Sequence, residues 1–325
     1  MNGRAGDRVL DNMRVVYLGG LGRSGSTLLE RLLGELPGVC AAGEVVHMWQ
    51  RGIVDNERCG CGEPFAKCPF WSRVGQEAFG GWQNVSQERV TELRESVDRT
   101  RFIPMLAGPR LATRTRRQLA EYTDYYLRVY RAIGTVSGSQ TVIDSSKHAS
   151  LAFCLSRRPD VDLRVIHVVR DSRAVAYSWT TKVARPDASG ESYMTTYPPV
   201  LAAGQWNMQN GALQILGRRG TPILRIRYED LVSEPARTLA AAARFAGVRV
   251  GQADLDFVST QDDVPCAVLH QAHTASGNPM RFSTGPITIR SDERWRQAMP
   301  DSHRRTVTAM TLPLLSHYGY VGRAA

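Results

Sequence analysis

Short apolar runs alternate with amphipathic stretches along most of the chain. Four runs are brief and rich in β-branched side chains, which predicts β-strands near residues 14–18, 141–144, 163–169 and 223–227. Helical periodicity predicts helices over residues 26–35, 87–101 and 114–132. Further helices are expected to begin near Lys147 and Ser172. This alternation predicts an α/β fold in three layers, a mostly parallel sheet with helices on both faces.

The first strand runs into a glycine-rich turn and then into a helix, in the sequence VVYLGGLGRSGSTLL of residues 15–29. Such a turn lets backbone amides approach a phosphate at the helix N-terminus. Gly20 and Gly25 have the spacing of a Walker A loop, but Ser26 stands where that loop needs lysine. The cation nearby is Arg23. We therefore expect a phosphate-type anion other than the β,γ end of ATP; a plain glycine-rich turn is the alternative.

A second candidate anion site follows the strand at residues 163–169. Arg170 stands where that strand ends, at the sheet edge where parallel α/β folds bind ligands. Ser178 lies about two turns into the next helix, so one anion could contact both side chains. Taken alone, Arg170 and Asp171 would be read as a surface salt bridge of little value.

Length and composition favour a single domain over residues 1–325, with short flexible termini at about 1–12 and 320–325. Apolar stretches are too short for a membrane span, and the N-terminus lacks the apolar core of a signal peptide. We expect a soluble, cytoplasmic protein with no stable membrane insertion. Residues 182–199, rich in Pro, Gly, Ser and Tyr, are a candidate lid.

The net charge of +10 raises the question of a nucleic-acid surface. Only three of the 41 basic residues are lysines, namely Lys67, Lys147 and Lys182. The charges are scattered, and no basic run is interleaved with aromatic residues. Arginine-rich codon usage and a polyanionic ligand account for this balance, so we expect no nucleic-acid partner.

Three segments together resemble the sulfotransferases that use 3′-phosphoadenosine 5′-phosphosulfate (PAPS): GRSGSTLL, VVRDSRAVAYSW and RIRYEDL. The resemblance extends from about Val15 to about Trp295 and implies a P-loop NTPase-like fold. Where cytosolic small-molecule members carry lysine, this chain has Arg23, which places it nearer the bacterial and tyrosylprotein-type branches. The resemblance implies PAPS as donor, adenosine 3′,5′-bisphosphate as product, a hydroxyl-bearing acceptor and no required metal.

Site residues carry over from the same segments. The resemblance implies that the first loop binds the 5′-phosphosulfate, through Gly22, Arg23, Ser24, Gly25, Ser26 and Thr27. It also implies that Arg170 and Ser178 bind the 3′-phosphate and that Tyr228 lies near the adenine. The segment HTASGNPMRFSTG, residues 273–285, is similar to a late loop that closes over the nucleotide in bacterial members, and Arg281 is its implied phosphate ligand.

Sulfuryl transfer needs positive charge at the bridging oxygen, in-line placement and a base for the acceptor proton. We expect Glu44, in AAGEVVHMW, to be that base, since related members carry a glutamate in a matching Gly-Glu context. His47 is the second candidate base. Lys147 and Arg23 are expected to stabilise the transferring or leaving group, and Ser145 and Ser146 to donate to the same oxygens. Each of these residues also has an ordinary structural interpretation, such as a cap or an ion pair.

Six cysteines occur, three of them in CGCGEPFAKCPFW as Cys59, Cys61 and Cys68. Three thiols without a nearby fourth ligand make a poor zinc site, although His47 could contribute. A disulfide is less expected in a reducing cytosol, and similar segments in bacterial members favour a structural clip. The apolar settings of the others predict core packing for Cys40, Cys154 and Cys266.

Two other functions stay open at this point. One is a P-loop kinase or NTPase with Asp144 as a Walker-B-like magnesium ligand. The other is a nucleotide- or nucleic-acid-binding module without catalysis. The sequence indicates neither the acceptor nor the oligomeric state; the region around His47, Trp49 and residues 193–206 is a candidate acceptor pocket.

Overall fold

The computed structural model describes residues 13–186 and 192–321. The terminus expected at residues 1–12 lies outside this part of the chain, as do residues 322–325. Tyr320 is held against the domain, because its hydroxyl donates to the Glu229 carboxylate over 2.6 Å. Residues 320 and 321 of the terminus expected at residues 320–325 lie within the described part of the chain.

A five-stranded parallel sheet forms the centre of the molecule, in the order β2-β3-β1-β4-β5. Its strands are β1 (Met13–Gly19), β2 (Val39–Ala41), β3 (Thr141–Lys147), β4 (Val161–Val169) and β5 (Ile223–Arg227). Strand β1 lies in the middle, where Val16 pairs with Ile143 on one side and Arg164 on the other. The strand that leads into the glycine-rich turn is thus flanked by the two strands that end at Lys147 and Val169.

Helices connect and cover these strands. They are α1 (Ser26–Gly34), α2 (Val45–His47, continued by a π-helix at Met48–Val54), α3 (Pro69–Phe79), α4 (Gln87–Val97), α5 (Ile103–Ala107), α6 (Thr113–Ser137), α7 (Ala149–Leu155), α8 (Ser172–Thr180), α9 (Pro199–Arg218), α10 (Tyr228–Ser233), α11 (Pro235–Ala246), α12 (Trp295–Ala298) and α13 (Asp301–His317). Within the described ranges, no helix is both long and apolar enough to cross a membrane.

Alternation along β1 divides the core into two apolar layers. Val15 and Tyr17 point to the layer formed with α6 and α7, and Val16 and Leu18 point to the layer formed with α1 and α11. All four side chains are fully buried. Helices therefore cover both faces of a parallel sheet, which confirms the predicted three-layer α/β fold.

A second, antiparallel sheet was not predicted. It consists of β6 (Val258–Gln261), β7 (Val264–Leu269) and β8 (Gly285–Thr288). Between β7 and β8 the chain crosses back to the main sheet as residues 270–284, which we call the return strap. Its Ala275 N–H donates to the Ala42 carbonyl over 2.9 Å, next to the end of β2.

The cysteine segment corrects one expectation. A fourth ligand-type atom does lie near the three thiols, because the return strap brings His273 Nδ1 to 3.3 Å from the Cys68 sulfur. His47, the residue considered for that role, lies instead beside Glu44. Sequence spacing could not reveal His273, which is 205 residues away from Cys68. Of the three other cysteines, Cys154 is fully buried and Cys40 and Cys266 are half-buried.

Candidate active site

The glycine-rich turn forms an open helix N-terminus at one wall of a cleft of about 700 Å³. Gly25 precedes α1 with φ of 90°, a left-handed conformation that favours glycine. A Cβ there would also lie 2.5 Å from Cδ2 of Tyr228. Among the residues that the structure describes, no side chain caps this helix, and Ser26 and Thr27 at its start line the cleft. This geometry suits a bound anion.

Arg23 is a buried cation at this turn and is placed to bind an anion. Its Nε and Nη2 atoms are buried, and they have no hydrogen-bond partner among the residues that the structure describes. The guanidinium lies 5.3 Å from the centre of the Trp179 ring, and Trp179 Nε1 donates to the Gly22 carbonyl over 3.1 Å. Burial lowers the pKa of Arg23, and Glu44 opposes that effect. Buried cationic donors are costly unless paired, so this one is placed to receive a negative ligand.

Arg170 follows β4 and enters the same cleft about one residue beyond the strand. Its Nη1 donates to the Arg23 carbonyl over 3.2 Å, and its Nη2 donates to the Asp292 carbonyl over 2.8 Å. The guanidinium lies 4.4 Å from the centre of the Tyr228 ring. Ser178 and Tyr228 line the same cleft. The two anion sites predicted from separate segments are thus brought together.

Glu44, Lys147 and His47 form a compact group that lines the same cleft. Lys147 ends β3 with φ of 70°, and its ammonium donates to Glu44 Oε1 and, over 3.0 Å, to the Ser145 carbonyl. His47 Nε2 lies 3.5 Å from Glu44 Oε2. The two side chains of the ion pair are largely buried, with 14% of Glu44 and 12% of Lys147 exposed.

The charges of this group set its protonation. Burial raises the pKa of Glu44, but Lys147 and His47 lower it more, to about 2. Burial lowers the pKa of His47 to about 3, against the pull of Glu44. At neutral pH the group therefore contains a carboxylate and a neutral imidazole, both able to accept a proton.

Glu30 is a positioning residue that sequence reasoning missed. It is fully buried in α1, where Oε1 accepts from the Gly43 N–H over 2.6 Å and Oε2 accepts from the Ser145 hydroxyl over 2.7 Å. Those two contacts hold the backbone just before Glu44 and just before Lys147. Burial raises the pKa of Glu30 to about 7. Its signal in the sequence was a pair of opposite charges, Glu30 and Arg31, within the otherwise apolar run STLLERLL.

Asp144 is not placed to hold magnesium. It is fully buried beneath the cleft, where its carboxylate accepts from Tyr130 Oη over 2.5 Å and from the Ser146 amide over 2.8 Å. It does not line the cleft. The kinase alternative that depended on Asp144 as a metal ligand is therefore wrong. The side chain is a buried hydrogen-bond acceptor that fixes the end of β3.

Three further predicted site residues have other contacts. Arg281 is 1% exposed and donates to the carbonyls of Thr274 and Arg58, which braces the return strap. Ser24 is 1% exposed and does not line the cleft. Ser145 donates to Glu30, as described above. The return strap does reach the cleft, but through Gly277.

The remaining cleft wall comes from the region expected to form a lid. Tyr193 and Tyr197 line it from residues 192–198, and Met208 lines it from α9. Tyr193 is 55% exposed. Trp49 does not join them: it is 5% exposed and packs edge-on against Tyr126. The prediction for residues 187–191 lies outside the described part of the chain.

Comparison with known proteins finds similar sequences and structures. A human protein named carbohydrate sulfotransferase 3 is 28% identical over 184 residues, which is 51% of this chain and 35% of that protein. The chain thus matches about a third of the length of this curated relative.

Solved structures extend the comparison to nearly the whole chain. The sulfotransferase domain of the Synechococcus PCC 7002 olefin synthase is 20% identical, with coverage of 93% of this chain and 94% of its own and a TM-score of 0.49. Sulfotransferase STF9 of Mycobacterium avium is 12% identical, with coverage of 95% and 77% and a TM-score of 0.43. The model of the sulfotransferase domain family matches residues 15–262, more than half of the chain. The chain therefore belongs to the sulfotransferase family, as its motifs predicted.

Proposed function

We propose that this sulfotransferase moves the sulfuryl group of PAPS to a hydroxyl acceptor, with Glu44 as the general base and without a catalytic metal. One observation carries the proposal: Arg23 and Arg170, each a candidate anion ligand, line the same cleft as the carboxylate of Glu44. A nucleotide with phosphate-type groups at both its 3′ and 5′ ends matches that arrangement. A nucleoside triphosphate does not, because its charge is concentrated at one end.

The residues present fit such a donor. The buried, unpartnered nitrogens of Arg23 and the open amides of α1 suit the 5′-phosphosulfate. Arg170 and Ser178 suit the 3′-phosphate, and the Tyr228 ring offers a flat face for the adenine. When bound, PAPS supplies the activated sulfuryl group.

Glu44 takes the proton from the acceptor hydroxyl in this proposal. Its ionised state at neutral pH permits that role, and its pairing with Lys147 keeps it fixed. Lys147 supplies positive charge where the transferring group develops negative charge. His47, neutral and 3.5 Å from Glu44, is the second candidate base.

For the acceptor, we propose a carbohydrate hydroxyl as the first class to test. The relative named carbohydrate sulfotransferase 3 supports this choice. Tyr193 and Tyr197 in the cleft wall present aromatic faces against which a sugar ring can pack.

The test is transfer from radiosulfur-labelled PAPS, in the presence of a chelator, to panels of carbohydrate, phenol and lipid alcohols. We expect label in at least one hydroxyl class together with an equal amount of released adenosine 3′,5′-bisphosphate. The matched control is Glu44→Gln, which should retain donor binding. Equal transfer by the wild type and by this variant would contradict the assignment of the base, and transfer to none of the classes would contradict the proposed activity.

A further inference from the structure

Cys59, Cys61, Cys68 and His273 form a group that the cleft chemistry does not use, which we call the thiol–imidazole cluster. Its ligand-type atoms, three sulfurs and one ring nitrogen, all lie within 4.8 Å of one another. Two members are buried and two are half-buried. None of the four lines the cleft. The cluster therefore needs an explanation separate from sulfuryl transfer.

Four of the six spacings between these atoms are close to the edges of a metal tetrahedron. Zinc–sulfur bonds of ~2.3 Å and zinc–nitrogen bonds of ~2.0–2.1 Å give tetrahedral edges of ~3.8 Å between sulfurs and ~3.6 Å between sulfur and nitrogen. The cluster has 3.6 Å between Cys59 and Cys68 and 3.7 Å between Cys61 and Cys68. His273 Nδ1 lies 3.9 Å from the Cys59 sulfur and 3.3 Å from the Cys68 sulfur.

A disulfide does not account for the same group. Bonded sulfurs lie ~2.05 Å apart, far below the separations seen here, and all three cysteines are free thiols. A disulfide between any two of them would also leave the third thiol and the imidazole side by side without a function. A single ion at the centre of the cluster would contact all four atoms.

His273 is held in place from several directions. Its ring stacks on Phe70 with centres 5.1 Å apart, and its carbonyl accepts from Trp71 Nε1 over 2.9 Å. The Gly60 N–H donates to the Thr274 carbonyl over 2.9 Å, and a Cβ on Gly60 would lie 2.4 Å from Thr274 Oγ1. The cysteine loop and the return strap are therefore packed closely enough for one ion to join them.

We propose that the thiol–imidazole cluster binds one structural zinc ion through three thiolates and His273 Nδ1. Three sulfurs and one imidazole are a donor set that zinc prefers, and four protein ligands close the site to water and substrate. Each thiol releases its proton to solvent when the ion binds. The ion has no part in the sulfuryl transfer step.

The position of the cluster gives the ion a structural consequence for the active site. Three residues beyond His273, the Ser276 carbonyl accepts from the Glu44 N–H over 3.2 Å. Gly277 packs beside Glu44, where a Cβ would lie 3.3 Å from Oε1. Zinc at the cluster fixes the return strap and, through it, the backbone that carries Glu44.

The test is the metal content of the full-length protein, purified without chelators and freed of any histidine tag. We expect about one zinc per chain by elemental mass spectrometry, and cobalt exchanged into the site should give the spectrum of tetrahedral cobalt–thiolate bonds. Stripping the metal with a strong chelator should lower the melting temperature, and zinc but not magnesium should restore it. These readouts do not depend on activity, so they can fail while the proposed sulfuryl transfer holds, and the reverse.

Matched variants locate the ion. His273→Ala and Cys68→Ser should reduce bound zinc at least about tenfold under chelator competition, whereas His270→Ala and Cys266→Ser, which alter the same residue types outside the cluster, should keep it. If the cluster variants do not fold, alkylation of the wild type decides: the three cluster thiols should react only after chelator treatment. A wild type that neither contains nor takes up zinc, a mass two hydrogens lower that shows a disulfide, or equal zinc loss in the control variants would overturn the proposal.

Discussion

Replacing Lys147 by methionine should raise the pKa of Glu44 from about 2 to above its ordinary value. In the wild type, burial raises this pKa and the positive charge and hydrogen bond of Lys147 are the main opposing influence. Without the ammonium, burial prevails, so the pKa should exceed ~4.3, a change worth at least ~3 kcal/mol. The methionine side chain is similar in length to that of lysine. Both residues have the same conformational energy cost in the left-handed backbone at φ of 70°.

The assay is the pH dependence of kcat/KM, which reports ionisations of the free enzyme. In the wild type, protonation of Glu44 should not lower kcat/KM at any pH above about 4. In Lys147→Met, kcat/KM should fall as the pH decreases. The midpoint of that fall should lie at least ~2 pH units above the pKa of Glu44 in the wild type. Lys67→Met, which changes an exposed lysine, is the control. If the low-pH decrease of kcat/KM has the same midpoint in all three proteins, Lys147 does not lower the pKa of Glu44 as stated.

Three further changes test the site. Glu44→Gln should lower turnover by about 10²–10⁴, and an acceptor whose hydroxyl is already ionised should restore much of it; normal turnover on an ordinary alcohol would move the role to His47. Arg170→Ala should weaken adenosine 3′,5′-bisphosphate binding by about 1.5–3 kcal/mol in calorimetry and AMP binding much less; equal losses would contradict the 3′-phosphate assignment. Burial raises the pKa of Glu30 to about 7, so the folded state holds this proton more tightly than the unfolded state does. The free energy of unfolding should therefore decrease by roughly 3–4 kcal/mol as the pH rises from about 4.3 through 7. Glu30→Gln should remove that decline from urea denaturation curves at pH 5 and pH 8, and an unchanged decline would contradict it.

The parts of the fold that the sequence predicted are the parts governed by local periodicity. Strand β5 has the predicted bounds, and α1 begins at Ser26 as expected, because a glycine turn and an apolar face mark that boundary. The predicted helix at residues 87–101 ends earlier, at Val97. The antiparallel sheet at residues 258–288 was missed because its strands are short and half-exposed, with little alternation to detect.

The candidate site divides in the same way. Arg23 and Arg170 were predicted as site residues because each follows a strand that the pattern reveals, and strands of a parallel sheet end at a common edge. Glu44 follows β2, a strand that the pattern did not predict, and it was proposed from the resemblance of its Gly-Glu context. The contacts of Arg281 with the backbone carbonyls of Thr274 and Arg58 were not predicted, because no motif indicates them. His273 was missed as a partner of the thiols because only the return strap, a tertiary feature, brings them together. Local sequence patterns therefore identify residues at the ends of strands. Contacts between residues far apart in the sequence can be recognised only in the folded structure.

The most direct test of the central claim is calorimetric titration of the wild-type protein with adenosine 3′,5′-bisphosphate and with AMP, both in the presence of a magnesium chelator. Two charged sites in one cleft should hold the two ends of one nucleotide, so the bisphosphate should bind at least about tenfold more tightly, as expected for one additional charge-assisted contact worth ~1.5–3 kcal/mol. Equal affinity for the two nucleotides, or binding that requires magnesium, would contradict the account.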